Sequence, residues 1–201
     1  FEHRHGDSHA LAFKSSDPDY IMVGDDGGIY ESFDQTATWR YIENLPLTQF
    51  YKVAVDDALP FYNIYGGTQD NGSQRGPSRT DNIRGIQSLD WQMILGWDGH
   101  QPATEPGNPD IVYAERQQGM LSRIDMRTGE IVDIQPQPDA DENYERFNWD
   151  SPILVSPHNP TRLYFASHRL WRSDNRGDEW TAISGDLTRN QDRMSMPIMG
   201  R

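Results

Sequence analysis

The sequence predicts an all-β fold made of four repeats, each a small antiparallel sheet, and three observations carry that expectation. Apolar residues come in short β-branched and aromatic runs, such as Ile21-Met22-Val23, Val53-Ala54-Val55, Ile111-Val112-Tyr113 and Leu163-Tyr164-Phe165, bounded by Gly, Pro, Asp and Asn. Runs of that length with those boundaries read as strands rather than helices. A turn followed by an apolar strand recurs around Pro18, Pro60, Pro109 and Pro160, which stand 42, 49 and 51 residues apart. That interval holds four short strands, the content of one propeller blade. Finally, 6 Trp, 9 Tyr and 7 Phe supply enough bulky apolar surface for a core despite the high charge.

Each repeat reads as strands A, B, C and D. In the first they are expected near Ala10 to Phe13, Tyr20 to Gly24, Ile29 to Ser32 and Trp39 to Ile42. In the fourth they are expected near Ile153 to Ser156, Leu163 to Ala166, Leu170 to Ser173 and Trp180 to Ile183. The blades then span roughly 1–46, 47–97, 98–147 and 148–187, with 188–201 a tail or the start of a further blade. A helical turn is expected only between Leu187 and Arg193.

Charge narrows the function classes. Eighteen Lys and Arg against 31 Asp and Glu leave a net charge of −13, a field that repels nucleic acid and anionic membranes. No apolar run is long enough to insert directly into a membrane as a helix, and Phe1 to Ser8 lack the apolar core of a signal peptide. The chain begins with Phe, so a preceding portion is expected. With no cysteine, disulfides, thiolate catalysis and zinc-thiolate sites are excluded.

The first and last repeats share a tighter signature. Ser32-Phe33-Asp34-Gln35-Thr36-Ala37-Thr38-Trp39 and Ser173-Asp174-Asn175-Arg176-Gly177-Asp178-Glu179-Trp180 have the same spacing. Both resemble the Asp-box, Ser-x-Asp-x-Gly-x-Thr-Trp, with Thr36 replacing its Gly in the first copy and Asn175 and Glu179 replacing its Asp and Thr in the second. A short polar side chain suits the N–H groups of a C-to-D hairpin, and Trp staples the turn to the blade. Ser32, Asp34, Trp39, Ser173, Asn175 and Trp180 are therefore read as structural. Asp-box repeats occur in sialidases, xyloglucan-active glycoside hydrolases, sortilin-type domains and large bacterial BNR-repeat proteins. The runs Gly24 to Asp34, Asn44 to Asp56 and Tyr65 to Ser73 resemble the bacterial sortilin-like group most. That resemblance implies a secreted, periplasmic or cell-surface propeller of six to eight blades, of which four would be an excerpt. The remaining blades, or another protein chain, would cover the exposed ends.

Strand order in a blade brings the lead-in to strand A and the B-to-C loop to one end, with the C-to-D hairpins at the other. At the first end Asp7-Ser8-His9, Asp98-Gly99-His100 and Asp150-Ser151-Pro152 occupy equivalent positions. Each Asp either caps a turn or lines an axial mouth, where clustered acids raise one another's pKa. The B-to-C loops add Asp25-Asp26, Gln69-Asp70-Asn71, Glu115-Arg116 and His168-Arg169. Trp97 and Trp149 are either core or platforms for sugar rings. Together these residues are the candidate ligand-binding set, for a polypeptide or a glycan. The alternative is an inverting glycoside hydrolase resembling the xyloglucan-active group, with Asp70 and Asp98 as acid and base at a required separation of about 6.5 to 9.5 Å. A sialidase is not expected, since nothing resembles that family's arginine cluster and tyrosine nucleophile. No cofactor is expected. Calcium at Asp25-Asp26 or Asp56-Asp57 is the one ion weighed for the carboxylates, while His3, His5 and His9 with Asp7 read as exposed terminal residues rather than ligands.

Overall fold

A computed structural model describes residues 4–45 and 47–197. The chain forms four antiparallel four-stranded sheets in sequence, each with its strands in chain order. Blade 1 holds β1 (Ser8–Lys14), β2 (Asp17–Asp25), β3 (Gly28–Ser32) and β4 (Arg40–Tyr41); blade 2 holds β5 (Lys52–Val55), β6 (Asn63–Thr68), β7 (Gly72–Pro77) and β8 (Gln92–Leu95). Blade 3 holds β9 (Ala103–Glu105), β10 (Asn108–Glu115), β11 (Leu121–Asp125) and β12 (Ile131–Asp133). Blade 4 holds β13 (Ile153–Val155), β14 (Leu163–Ala166), β15 (Leu170–Ser173) and β16 (Thr181–Ala182). This is the all-β, propeller-type arrangement expected.

Alternation along the strands decides what each sheet face buries. In blade 4, Ile153 lies opposite Phe165 and Phe165 opposite Trp171, so these side chains share one face. That face packs on blade 3: Tyr113, Leu121 and Ile134 join Ile153, Val155, Leu163 and Phe165 in one buried cluster. The other face of blade 3 turns Val112, Ala114 and Ile124 onto Tyr65, Ile94 and Leu95 of blade 2. Fully burying an aliphatic or aromatic side chain contributes about 1.5–3 kcal/mol, so these two clusters hold blades 2 to 4 together. Blade 1 contributes to neither cluster; its β1 is exposed throughout.

Two local expectations are corrected. Pro18 and Pro109 do not sit in turns before their strands but are the second residues of β2 and β10. A strand end tolerates the missing N–H. Nor do residues 187–192 form a helical turn; one-turn 3-10 helices occur instead at Ser88–Asp90, Gln117–Gly119 and Arg193–Ser195. Asp186 accepts the Thr188 N–H at 2.7 Å and the Thr188 hydroxyl accepts the Asn190 N–H at 3.1 Å, local bonds that compete with helix.

The two hairpins of shared signature have one hydrogen-bond pattern. Ser32 Oγ donates to Asp34 (2.8 Å) and accepts the Thr36 N–H (2.9 Å), while Asp34 accepts the Thr38 N–H (2.9 Å). Ser173 Oγ donates to Asn175 (3.0 Å) and accepts the Gly177 N–H (2.8 Å), while Asn175 accepts the Glu179 N–H (3.0 Å). Asn175 serves because its side-chain carbonyl supplies the same acceptor as a carboxylate. Gln35 and Arg176 both take positive φ, 54° and 60°, so the two backbones follow the same path.

Candidate functional site

Two close approaches build a mouth at the end away from these hairpins. The segment Asp98-Gly99-His100 threads between blades 2 and 3, with the Gly99 N–H on Thr68 O (2.9 Å) and the His100 N–H on Glu115 O (3.3 Å). A Cβ at Gly67 would strike the His100 backbone, and one at Gly99 would strike Gly72, so glycine is required at both. This threading sets Asp98 against the turn of blade 2, where its carboxylate accepts the Asp70 N–H at 3.0 Å. Asp70 itself has φ 62°, a left-handed conformation that Asp tolerates better than most residues.

Carboxylates from three loops meet there. Oxygens of Asp7, Asp26 and Asp70 lie within 4.8 Å of one another, and His9 Nε2 is 2.6 Å from Asp26. The Asn71 amide donates to Asp26 O at 2.8 Å and to Gln69 O at 3.2 Å, tying blade 2 to the turn of blade 1. Burial, then hydrogen bonding to Asp26 and Asp98, pushes the Asp70 carboxyl up to about 6. Asp26 moves below the usual range, because Asp70 and His9 hydrogen-bond to it. Asp70 is thus the proton carrier of the group and Asp26 the fixed charge.

Beside these acids stands a buried carboxyl–imidazole pair. Glu115 is fully buried, accepts the Ser151 N–H at 2.5 Å and lies 3.2 Å from His100 Nδ1. His100 Nε2 is 3.9 Å from Asp150. Burial raises the Glu115 carboxyl to about 8 and lowers His100, so the low-dielectric surroundings disfavour the charged form of each. Tyr51 closes this side: its hydroxyl donates to Gln69 and its ring meets His100 edge-on, with centroids 5.6 Å apart. Burial raises the Tyr51 phenol, and Asp150, Asp98, Asp70 and Asp26 raise it further.

The sequence-selected residues therefore divide. Asp7, His9, Asp26, Gln69, Asp70, Asn71, Asp98, His100 and Asp150 are brought together. Asp25 instead caps its own turn through the Gly27 N–H (2.9 Å) and faces Arg4 at 3.4 Å. Arg116 turns to Asp133 at 2.8 Å. His168 and Arg169 join Glu145 and Glu142 in a separate network on blade 4, at 3.3 and 2.6 Å. Trp97 and Trp149 are not core: they are 68% and 46% exposed, next in sequence to Asp98 and Asp150. Asp56, weighed for calcium, is filled by protein donors, accepting from the Asn63 N–H (2.7 Å), the Asn63 amide (2.7 Å) and the Tyr65 hydroxyl (2.9 Å). His3 lies outside the described residues. Asp70 and Asp98 are in direct hydrogen-bond contact rather than facing each other across a cleft. The residue that sequence reasoning missed is Tyr51. The signal was positional, since Tyr51 occupies in blade 2 the lead-in to strand A that Asp7, Asp98 and Asp150 mark elsewhere.

Fold and mouth together define a propeller-type array of blades with an acidic, aromatic-flanked opening. No family model matches the chain, and no curated protein matches it. Among solved structures, the chain is similar to an ancestral GH74 enzyme (TM-score 0.49, 16% identity, covering 90% of this chain and 24% of that one). It is similar also to a GH74 xyloglucanase from Xanthomonas campestris (0.47, 17%, 90% and 30%). A third match is an auxiliary nutrient binding protein from Bacteroides thetaiotaomicron (0.48, 14%, 90% and 42%). The chain thus spans less than half the length of each. Among the described residues no helix is long and apolar enough to cross a membrane.

Proposed function

We propose that the chain is part of an exported, sortilin-like Asp-box propeller whose mouth binds a glycan or polypeptide, and that it acts as a binding or scaffold module. The observation that carries this reading is the pair of exposed indoles, Trp97 and Trp149, each next in sequence to an acid, Asp98 or Asp150, of the convergent set. An exposed indole next to hydrogen-bonding groups suits a ring with one apolar and one hydroxylated aspect, or an apolar peptide side chain. The shared hairpin geometry supports the Asp-box assignment, and further blades of a longer polypeptide or another chain would complete the ring. Of the residues weighed for calcium, Asp26 keeps an oxygen within 4.8 Å of others from Asp7 and Asp70, while Asp57 accepts the Gly107 N–H at 2.7 Å. The test is titration of xyloglucan and mixed-linkage β-glucan oligosaccharides, and of a peptide library, followed by tryptophan fluorescence. Binding that falls at least tenfold in Trp97→Ala and Trp149→Ala supports the reading; saturable binding unchanged in both rejects the mouth as its site.

A second reading, an inverting glycoside hydrolase, draws on the Asp70 carboxyl held near 6, a suitable value for a general acid. Against it stands the contact of Asp70 with Asp98, since an inverting pair needs about 6.5 to 9.5 Å between carboxyls to admit a water. Turnover of a β-glucan abolished by both Asp70→Asn and Asp98→Asn would restore this reading.

A further inference from the structure

Behind the mouth lies a carboxyl that no lysine or arginine meets among the described residues. Glu115, the last residue of β10, is fully buried, and its two oxygens have different partners. One accepts the Ser151 N–H at 2.5 Å from the lead-in to β13; the other lies 3.2 Å from His100 Nδ1. Arg116, next in the chain, turns instead to Asp133 and Ser122. The imidazole is held in place from three sides: the His100 backbone N–H bonds to Glu115 O, its backbone presses on Gly67, and its ring meets Tyr51 edge-on.

The far side of the ring is open. Among the described residues His100 Nε2 makes no hydrogen bond; Asp150, the carboxylate it faces, stands at 3.9 Å, too far for one. Two arrangements of one proton satisfy Nδ1: Glu115 as an acid donating to it, or Glu115 as a carboxylate accepting from it. They differ at Nε2. In the first, Nε2 carries hydrogen and points a donor at Asp150; in the second its lone pair confronts Asp150, acceptor against acceptor. Burial also opposes the second, because it leaves a negative charge in a low-dielectric interior with two N–H donors and no cation. The Glu115 carboxyl, raised by burial to about 8, agrees with the first arrangement. Burial lowers His100, and Lys52 lowers it further against the pull of Asp150, so a charged ring beside Glu115 is disfavoured as well.

We propose that Glu115 is a positioning residue of the mouth: as a carboxylic acid it donates to His100 Nδ1, and so holds the ring in the tautomer that offers Nε2–H to a bound oxygen. Loss of that proton reverses the polarity. The acid proton passes to Nδ1, the Nε2 proton leaves to water in the mouth, and Nε2 becomes an acceptor. One proton is lost in all, and the ring lets a carboxyl sealed from solvent titrate. The other titratable and charged groups about the pair are Asp150 and Lys52, which act on the ring in opposite senses, Tyr51, whose hydroxyl donates to Gln69, and Asp98, which accepts the Asp70 N–H. Among the described residues none of these bonds to Nδ1 or to a Glu115 carboxyl oxygen. The tautomer is a property of the chain alone; that its donor meets a ligand rests on the mouth being the binding site.

Nitrogen-15 NMR of the labelled chain tests this, because a ring nitrogen that carries hydrogen and one that does not resonate far apart. The His100 signals are identified by their loss in His100→Gln. At pH 7 the unmodified chain is expected to show Nε2 protonated and Nδ1 bare, and to reverse as pH rises through about 8. In Glu115→Gln the amide donates to Nδ1, so the pH 7 pattern should persist to pH 9.5. Hydrogen on Nδ1 of the unmodified chain at pH 7, no reversal by pH 9.5, or Glu115→Gln spectra that follow the unmodified chain would each overturn the proposal. Titration of a xyloglucan oligosaccharide at pH 7 and 9.5 reads the consequence for recognition. Affinity should fall about fivefold at the higher pH in the unmodified chain, the worth of one hydrogen bond, and stay level in Glu115→Gln. An equal fall in both overturns the donor role. No saturable binding at either pH counts against the glycan reading of the mouth, and the spectra alone then decide the role of Glu115.

Discussion

At the residue scale the mouth is governed by who holds the proton. Asp70 is raised in the folded state from 3.8 to about 6, so its contribution to stability is intact below pH 3.8 and is lost as pH rises through 6. Asp70→Asn keeps the left-handed turn and removes the repulsion with Asp26 and Asp98. The variant should equal the parent near pH 3.5 and exceed it by about 1 kcal/mol at pH 7.5, after allowing for solvent screening. Urea unfolding at the two pH values would show this, and an equal shift at both would refute it. Glu115 has the same sign over a wider window, from 4.5 to about 8. In Glu115→Gln the amide can still accept from Ser151 and donate to His100. The fall in stability of the parent between pH 5 and 8.5, on the order of a few kcal/mol, should therefore flatten in the variant. A pH profile parallel to that of the parent would mean that Glu115 titrates normally.

The hairpins differ at the scale of the element, although their hydrogen bonds match. Gly177 is buried and lies against Ile134, whereas Thr36 is exposed. Ser173→Ala strands the Gly177 N–H away from water, which costs about 1–3 kcal/mol. Ser32→Ala leaves the Thr36 N–H free to bind water and should cost about 0.5 kcal/mol or less. Equal losses in chemical denaturation would show that the hairpin bond, rather than its burial, sets the cost. Both hairpins were readable in the sequence because the motif is local, with the bonds of Ser32 and Asp34, and of Ser173 and Asn175, closing over two to four residues. The B-to-C loops were less readable. Arg116, His168 and Arg169 share a loop class with Asp26 and Asp70, yet they turn to Asp133, Glu145 and Glu142. Which acid a cation meets is decided by chain segments 17 to 27 residues away, and no local pattern carries that.

For the whole molecule, two apolar clusters join blades 2, 3 and 4, and blade 1 stands outside both. Stability should therefore be uneven, with blade 1 opening at lower free energy than the rest. Hydrogen exchange should show β2 and β3 of blade 1 exchanging at least tenfold faster than β10 and β11. Uniform protection across the four blades would disprove it. What the sequence by itself determined is the strand content, the repeat and the two hairpins, because short β-branched and aromatic runs, turn residues and short motifs act over a few residues. Which carboxylates meet, that Trp97 and Trp149 are exposed, and that Tyr51 belongs to the mouth were decided only by tertiary structure. Those features arise where the backbone of residues 98–100 passes close against Gly67 and Gly72, and a contact between segments some 30 residues apart leaves no periodic trace in the chain.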